Sequence, residues 1–186
     1  SNNGNFIDKG SIEKFTESSR YLETDDNNIW ISHPYRGVYK IDIDSKAVTL
    51  FTQKNGLPAD LENHVFKIKN KILFATTKGI YEYNASSNEM VVAKDYTELF
   101  GTLPIRYLKE DKKGNIWFVQ DKMVGVADYG AGKPVIHYIP ELKNKILSGF
   151  ENIFPYDTKN VLIGSETGFY HINYEKYSGN IKPFNA

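Results

Sequence analysis

The chain has 186 residues, 40% of them hydrophobic, and its 23 basic and 23 acidic side chains give a net charge of +0 at pH 7. The charges are interspersed rather than gathered into a basic stripe, which argues against a nucleic-acid-binding surface. No apolar run reaches the roughly 18 residues of a membrane span, and the absence of cysteine excludes disulfides and thiolate metal sites.

Residues 1–20 are predicted to hold the last strands of a repeat unit. Within them, residues 4–15 show the same order of glycine, aliphatic residue, turn and aliphatic residue as residues 37–51. We therefore expect the chain to begin inside a unit, with the earlier strands of that unit lying upstream.

The first complete unit, residues 21–60, is predicted to contain four short strands. Its second strand, residues 29–31 (Ile-Trp-Ile), is apolar on both faces, which suits a strand buried between two neighbouring sheets. After the loop at 33–36, Gly37 opens a third strand, and a fourth ends at Phe51. Turn residues between short β-branched and aromatic runs are typical of hairpins.

The same order recurs in three further units, at residues 61–100, 101–145 and 146–176, with residues 177–186 as a tail toward a following domain. The first aliphatic residues of the four second strands, at 29, 72, 116 and 161, are separated by 43, 44 and 45 residues. A strand-bearing period of about 40–45 residues is typical of β-propeller blades. The sequence therefore predicts an all-β fold of about four four-stranded antiparallel blades, in a ring that is either closed or incomplete and open.

Glycine recurs shortly after each of these second strands, at positions 37, 79, 125 and 168. A glycine at the start of a strand either adopts a positive φ or leaves space where a side chain would collide. We therefore expect a backbone role for each of the four glycines.

Residues 110–118 (Glu-Asp-Lys-Lys-Gly-Asn-Ile-Trp-Phe) resemble the two-component regulator propeller repeat, in which an acidic turn with glycine precedes an Ile-Trp strand. Residues 55–58 (Asn-Gly-Leu-Pro) are similar to the connection between such repeats. The resemblance covers residues 21–173. It departs from the pattern at Leu73 and Leu162, which stand in place of tryptophan.

In that family, such repeats build the extracytoplasmic sensor region of bacterial membrane-bound regulators, often hybrid histidine kinases, and other members end in a helix-turn-helix module. The resemblance implies a non-catalytic, periplasmic, ligand-sensing portion of a two-component or transcriptional regulator. It also implies glycan fragments as a ligand class and a membrane attachment through segments outside this chain. A carbohydrate-active propeller enzyme and a protein–protein interaction scaffold are the alternatives.

The sequence predicts no catalytic residue, metal or cofactor. The four histidines have neither the i, i+4 spacing nor the companion acidic motif of zinc ligands. Glu110 and Asp111 are neighbours on one turn, so they do not face each other across a pocket as the paired carboxylates of glycosidases do.

The loops between the second and third strands are predicted to form the ligand site, because these loops rise on one face of a propeller. Tyr35 can stack on a sugar ring, and Arg36 can hold a hydroxyl or carboxylate group of a small molecule or oligosaccharide. The alternative is that these residues are solvated loop tips. The candidate residues are His33, Tyr35, Arg36, Lys78, Asp121, Lys122 and Glu166.

Propeller edges are predicted to mediate self-association or contact with neighbouring domains. An open ring leaves strand edges and apolar faces uncovered on its terminal blades, and such surfaces pair with other chains. No nucleic-acid partner is expected for this part of the protein.

Overall fold

The computed structural model describes residues 4, 8, 10–33 and 35–180, which form four antiparallel sheets in chain order. The first sheet consists of β1 (Tyr21–Thr24), β2 (Asn28–His33), β3 (Gly37–Asp42) and β4 (Val48–Phe51). The second consists of β5 (His64–Ile68), β6 (Lys71–Thr76), β7 (Gly79–Asn84) and β8 (Glu89–Val92). The third consists of β9 (Ile105–Glu110), β10 (Ile116–Gln120), β11 (Met123–Asp128) and β12 (Val135–Tyr138). The fourth consists of β13 (Ile153–Pro155), β14 (Val161–Ser165) and β15 (Gly168–Ile172).

The first strands of the sheets lie next to one another, since β1 contacts β5, β5 contacts β9, and β9 contacts β13. Within each sheet the strands then follow outward in sequence order. Inner strands gathered in this way, with each sheet extending away from them, are the blades of a β-propeller. The four anchor segments lie in β2, β6, β10 and β14, so the predicted fold and the equivalence of the four second strands are confirmed.

The second strand of the first sheet is buried on both faces, as its apolar sequence predicts. On one face Trp30 packs against Phe74 of the second sheet, with ring centroids 5.4 Å apart. On the other face Ile31 packs with Tyr39 and Ile41 of the same sheet. Burial of large aromatic side chains between sheets supplies much of the hydrophobic stabilisation of such an array.

Two of the recurring glycines show why the third strand needs that residue. Gly37 has a φ of +94°, and a Cβ there would lie 2.1 Å from the carbonyl oxygen of Phe51. Gly125 has no positive φ, but its Cβ would lie 2.4 Å from the ring of Phe118. One glycine is therefore required by both backbone conformation and space, and the other by space alone.

Two helices, which the strand pattern of the sequence does not predict, interrupt the sheets. Helix α1 (Lys94–Phe100) lies between the second and third sheets and buries Tyr96 and Phe100, which are four residues apart and so share one face. Short 3₁₀ turns occupy Gln53–Asn55 and Pro140–Leu142. In the described part of the chain, no helix has the length and apolar character needed to cross a membrane.

The fourth sheet has three strands in the described residues, where the blade pattern predicts four. After β15 the chain enters α2 (Tyr174–Asn180), so the predicted tail begins as a helix. Tyr174 is buried, and its ring packs edge-on against Trp117 of the third sheet at 5.2 Å. The chain thus returns to the third sheet instead of extending the fourth. Residues 181–186 lie outside the described part.

Residues 10–20 contain no strand, although the sequence predicts strands of a preceding blade at residues 1–20. The described residues provide no further sheet with which this stretch could pair, and an isolated strand pair is not stable. Its apolar side chains instead cover the first sheet, where Phe15 packs edge-on against Tyr39 at 5.2 Å. The rest of the prediction falls on residues 1–3, 5–7 and 9, which lie outside the described residues.

Candidate functional site

The predicted site loops and the beginnings of the inner strands lie at the same end of the molecule, because neighbouring strands are antiparallel. Tyr21, at the start of β1, pairs with Ser32 near the end of β2. His64, at the start of β5, likewise pairs with Ala75 near the end of β6. We call this end the upper face. The turns between inner and second strands lie at the opposite end.

Of the three candidate residues in the first sheet, His33 and Arg36 contact the same acid, Glu17, and Tyr35 contacts His33. Arg36 forms an ion pair with the Glu17 carboxylate, and His33 Nε2 lies 3.6 Å from the same group. The backbone N–H of Tyr35 donates to His33 Nδ1 at 3.1 Å. His33 is buried, so it orders the turn, whereas 75% of Tyr35 is exposed to solvent. Of the three, Tyr35 presents the most accessible surface for a ligand.

Lys122 and Glu166 come together from the third and fourth sheets. Both line a cavity of about 260 Å³ whose other wall is the connection at residues 144–148. The backbone N–H of Asn144 donates to the carbonyl oxygen of Lys122 at 3.2 Å, which fixes that connection beside the turn. A lysine and a glutamate that line one small cavity are suited to binding a polar ligand.

The other two predicted residues do not line this cavity. Asp121 is exposed and has a φ of 44°, while its neighbour Lys122 has a φ of 62°. The two residues therefore form the tight turn between β10 and β11 in a left-handed conformation. Lys78 is exposed on the corresponding turn of the second sheet, where its backbone N–H donates to Thr76 Oγ1 at 3.1 Å.

A second set of polar side chains, absent from the candidates predicted from the sequence, lies where the inner strands begin. Arg106 Nη1 lies 2.9 Å from Glu62 Oε1. Both carboxylate oxygens of buried Glu151 accept from the backbone N–H of Gly149, each at 3.0 Å. We call this set the inner-strand cluster; it consists of Arg20, Tyr21, Glu62, His64, Arg106 and Glu151.

The connection before the fourth sheet reaches the first sheet at this cluster. The guanidinium carbon of Arg20 lies 5.5 Å from the centroid of the Tyr21 ring and 5.9 Å from that of the Phe150 ring. A Cβ on Gly149 would lie 3.5 Å from an Arg20 nitrogen. Residues that are far apart in sequence therefore form one surface around the Arg20 guanidinium.

Electrostatics keep His64 neutral in this surface. Burial lowers the pKa of His64 to about 4, and the positive charges of Arg20 and Arg106 act in the same direction. The imidazole packs edge-on against the Tyr21 ring at 5.3 Å. Burial also raises the pKa of Tyr21, although Arg20 opposes that shift. Near neutral pH the imidazole of His64 and the phenol of Tyr21 are therefore uncharged, in a cluster that also holds two guanidinium groups and two glutamate side chains.

A repeating signal for this cluster is present in the sequence. Arg20, His64, Arg106 and Glu151 each stand within two residues of the start of an inner strand and recur at nearly the blade period. A polar residue at that point of an otherwise apolar strand departs from the pattern expected of a strand that only packs. In the described residues, no group of three or more His, Asp or Glu side chains could hold a metal ion.

Comparison with known proteins identifies the architecture. No protein-family model matches the chain, and neither does any curated protein. The extracellular domain of the putative hybrid two component system BT4673 from B. thetaiotaomicron has a TM-score of 0.59 at 16% identity, over 84% of this chain and 22% of that one. The chain is a β-propeller by fold.

Two further solved structures share this propeller architecture. The extracellular domain of the putative hybrid two component system BT3049, also from B. thetaiotaomicron, has a TM-score of 0.58 at 17% identity over 91% of this propeller and 22% of that chain. An ancestral GH74 enzyme has a TM-score of 0.50 at 16% identity, over 85% of this propeller and 23% of that chain. The propeller spans less than a quarter of the length of each of these chains.

Proposed function

We propose that this propeller is a ligand-sensing part of the extracytoplasmic region of a bacterial membrane-bound regulator, and that it does not catalyse a reaction by itself. The observation that carries the proposal is the convergence on the upper face of three polar features. These are the exposed ring of Tyr35, the cavity between Lys122 and Glu166, and the inner-strand cluster. Loops held by a rigid scaffold are where binding residues concentrate.

The ligand class that this surface suits is a small polar molecule or an oligosaccharide. An exposed tyrosine offers a ring face on which a sugar can stack, and lysine, arginine and glutamate offer hydrogen bonds to hydroxyl groups. The fold shared with the extracellular domains of BT4673 and BT3049 supports a sensor role. With that role we assign a periplasmic location to this propeller, and a signalling output of kinase or transcriptional type to segments outside this chain.

Binding to the upper face can be tested by titrating the isotope-labelled protein with a panel of oligosaccharides and following backbone amide shifts. We expect a binding member of the panel to shift amides at Tyr35, Lys122 and Glu166, and Tyr35→Ala to weaken its affinity. Tyr156→Ala is the matched control, since Tyr156 is 56% exposed but lies on a turn at the opposite end. Shifts confined to that opposite end, or a panel without any binding member, would contradict the proposal.

A second candidate function is a carbohydrate-active enzyme, favoured by the fold shared with the ancestral GH74 enzyme. Glu166 is exposed beside Lys122 in the cavity described above and is the acid to test first. Release of oligosaccharides from a polysaccharide by the wild type, and its loss in Glu166→Gln, would support the enzyme. Binding without any release supports the sensor.

A further inference from the structure

We infer that the inner-strand cluster binds the carboxylate group of a ligand, with Arg20 as the residue that holds it. The inference rests on the proposed function and deepens it, because it specifies the charge and the location of the bound group. Four features of the cluster carry it: ion pairing, orientation of the guanidinium, an imidazole without a partner, and an adjacent ring face.

Arg20 differs from the other two arginines of the chain, because each of those two forms an ion pair. Arg36 is paired with Glu17, and Arg106 is paired with Glu62. For Arg20 the described residues provide no carboxylate within ion-pair distance. Glu151 lies in the same cluster, but both its oxygens accept from the Gly149 backbone N–H. Within the described residues, Arg20 is therefore the arginine that has no ion-pair partner.

The guanidinium of Arg20 is oriented by aromatic rings rather than by an acid. It lies near the Tyr21 ring, at 5.5 Å, and near the Phe150 ring, at 5.9 Å, while the side chain stays exposed. Arg20 acts on Tyr21 through a side-chain hydrogen bond as well as through its charge, and a guanidinium has five N–H donors, so donors remain for a ligand. A pair of these donors matches the two oxygens of a carboxylate in a bidentate pair.

His64 also packs against the Tyr21 ring and has no side-chain hydrogen bond within the described part of the chain. The residue is 6% exposed and neutral, so its ring carries one N–H donor and one acceptor nitrogen. Arg20 and Arg106 are the charged groups that act on it. A carboxylate bound between Arg20 and His64 would accept hydrogen bonds from both groups.

Phe150 adds an apolar surface beside this position. Its ring is 74% exposed, although it lies against Arg20 at the mouth of the cluster. A ligand whose carboxylate is joined to a ring could place the acid on Arg20 and the ring on Phe150. The chemistry is that of an acidic sugar such as a hexuronate. A small free carboxylate shares the first contact and lacks the second.

Three probes distinguish an acidic sugar from a small free carboxylate as the ligand: D-glucuronate, D-glucose and acetate. We expect glucuronate to bind and to shift amides at Arg20, His64 and Phe150, with an affinity at least about tenfold above that of glucose, since a charge-assisted bidentate pair is lost in glucose. Arg20→Ala is expected to abolish that difference. Phe150→Ala should weaken glucuronate and leave acetate unchanged. Acetate that binds as tightly as glucuronate and is lost in Arg20→Ala would still support the carboxylate site and identify a small acid as its ligand.

Arg20→Lys and Lys71→Ala complete the set. Arg20→Lys keeps the charge and removes the fork, so we expect an intermediate affinity, and it serves as the test variant if Arg20→Ala does not fold. Lys71 is an exposed cation at the opposite end, and its removal should leave glucuronate binding unchanged. Glucuronate affinity that survives both Arg20 variants overturns the inference. If neutral sugars bind the upper face as tightly as glucuronate, the inference is wrong but the proposed function stands. If no ligand binds the upper face, both the inference and the proposed function are wrong.

Discussion

Trp30 and Asp25 are joined by a hydrogen bond of 2.7 Å from the indole Nε1 to Oδ2 of the carboxylate. The third sheet repeats it, with Trp117 Nε1 donating to Asp111 Oδ2 at 3.2 Å. In each case the acid lies in the turn before the second strand and the tryptophan lies in that strand. The acidic turn and the Ile-Trp strand of the repeat are therefore two halves of one structural unit.

Asp25→Ala should destabilise the propeller by about 2–3 kcal/mol, because it leaves the buried indole N–H of Trp30 without an acceptor. The same carboxylate also accepts from the backbone N–H of Asn27, at 3.0 Å, and of Asn28, at 2.8 Å. The free energy of unfolding in urea measures the effect. Asp26→Ala is the control, since Asp26 is exposed on the same turn and should change stability by no more than about 0.5 kcal/mol. Equal losses for the two variants would show that the hydrogen bonds to Asp25 do not stabilise the turn.

The lowered pKa of His64 predicts that the free energy of unfolding decreases as the pH falls. Its pKa is lowered from 6.5 to about 4 by burial and by Arg20 and Arg106, so between these values the unfolded chain binds more protons than the folded one. This contribution is present above pH 6.5 and is lost as the pH falls toward 4. Going from pH 7 to pH 5 should cost about 2 kcal/mol through this group.

His64→Phe tests that assignment, because it keeps an aromatic ring against Tyr21 and removes the titrating group. The free energy of unfolding of the variant should change less between pH 7 and pH 5 than that of the wild type. Acids such as Glu62 and Glu151 are unchanged in both proteins, so the difference isolates His64. Parallel pH profiles for the two proteins would contradict the prediction.

Gly125→Ala should destabilise the third sheet by about 1–3 kcal/mol through overpacking. The new Cβ would lie 2.4 Å from the ring of Phe118, which is itself fully buried against Phe100 and Tyr138. Gly179→Ala is the matched control, because a Cβ there meets nothing within 4 Å and alanine favours the helix. Thermal unfolding should show a lower midpoint for the first variant and an equal or higher one for the second.

Much of the fold could be predicted from the sequence because each blade is specified by contacts close in the chain. Residues 29–31 are apolar on both faces, and Gly37 stands where the third strand begins. The repeat period and the positions of the turn residues are therefore sufficient to predict the strands of a blade. Helix α2 was not predicted, since its main anchor, the packing of Tyr174 on Trp117, joins residues 57 positions apart. The same holds more strongly for Arg20 and Phe150, whose contact depends on how the connection before the fourth sheet crosses the upper face.

Self-association stays a prediction, and the fourth sheet has an exposed aromatic surface that favours it. Phe154 and Phe169 are 54% and 67% exposed. Since Phe154 is paired with Leu162, and Phe169 with Gly164 two residues further along, the two rings lie on the same face of this sheet. Ile153 and Ile163 fill the opposite, buried face.

An exposed aromatic face on a terminal blade favours association between copies of the chain. We therefore expect the weight-average mass in sedimentation velocity to rise with concentration, and the double variant Phe154→Ser, Phe169→Ser to suppress that rise. Leu103→Ser is the control, because Leu103 is 53% exposed and belongs to the connection between the second and third sheets rather than to the fourth sheet. A wild type that stays monomeric across the concentration range would contradict the prediction. Association abolished equally by the control would locate the contact elsewhere, since hydrophobic association scales with the apolar area that each substitution removes.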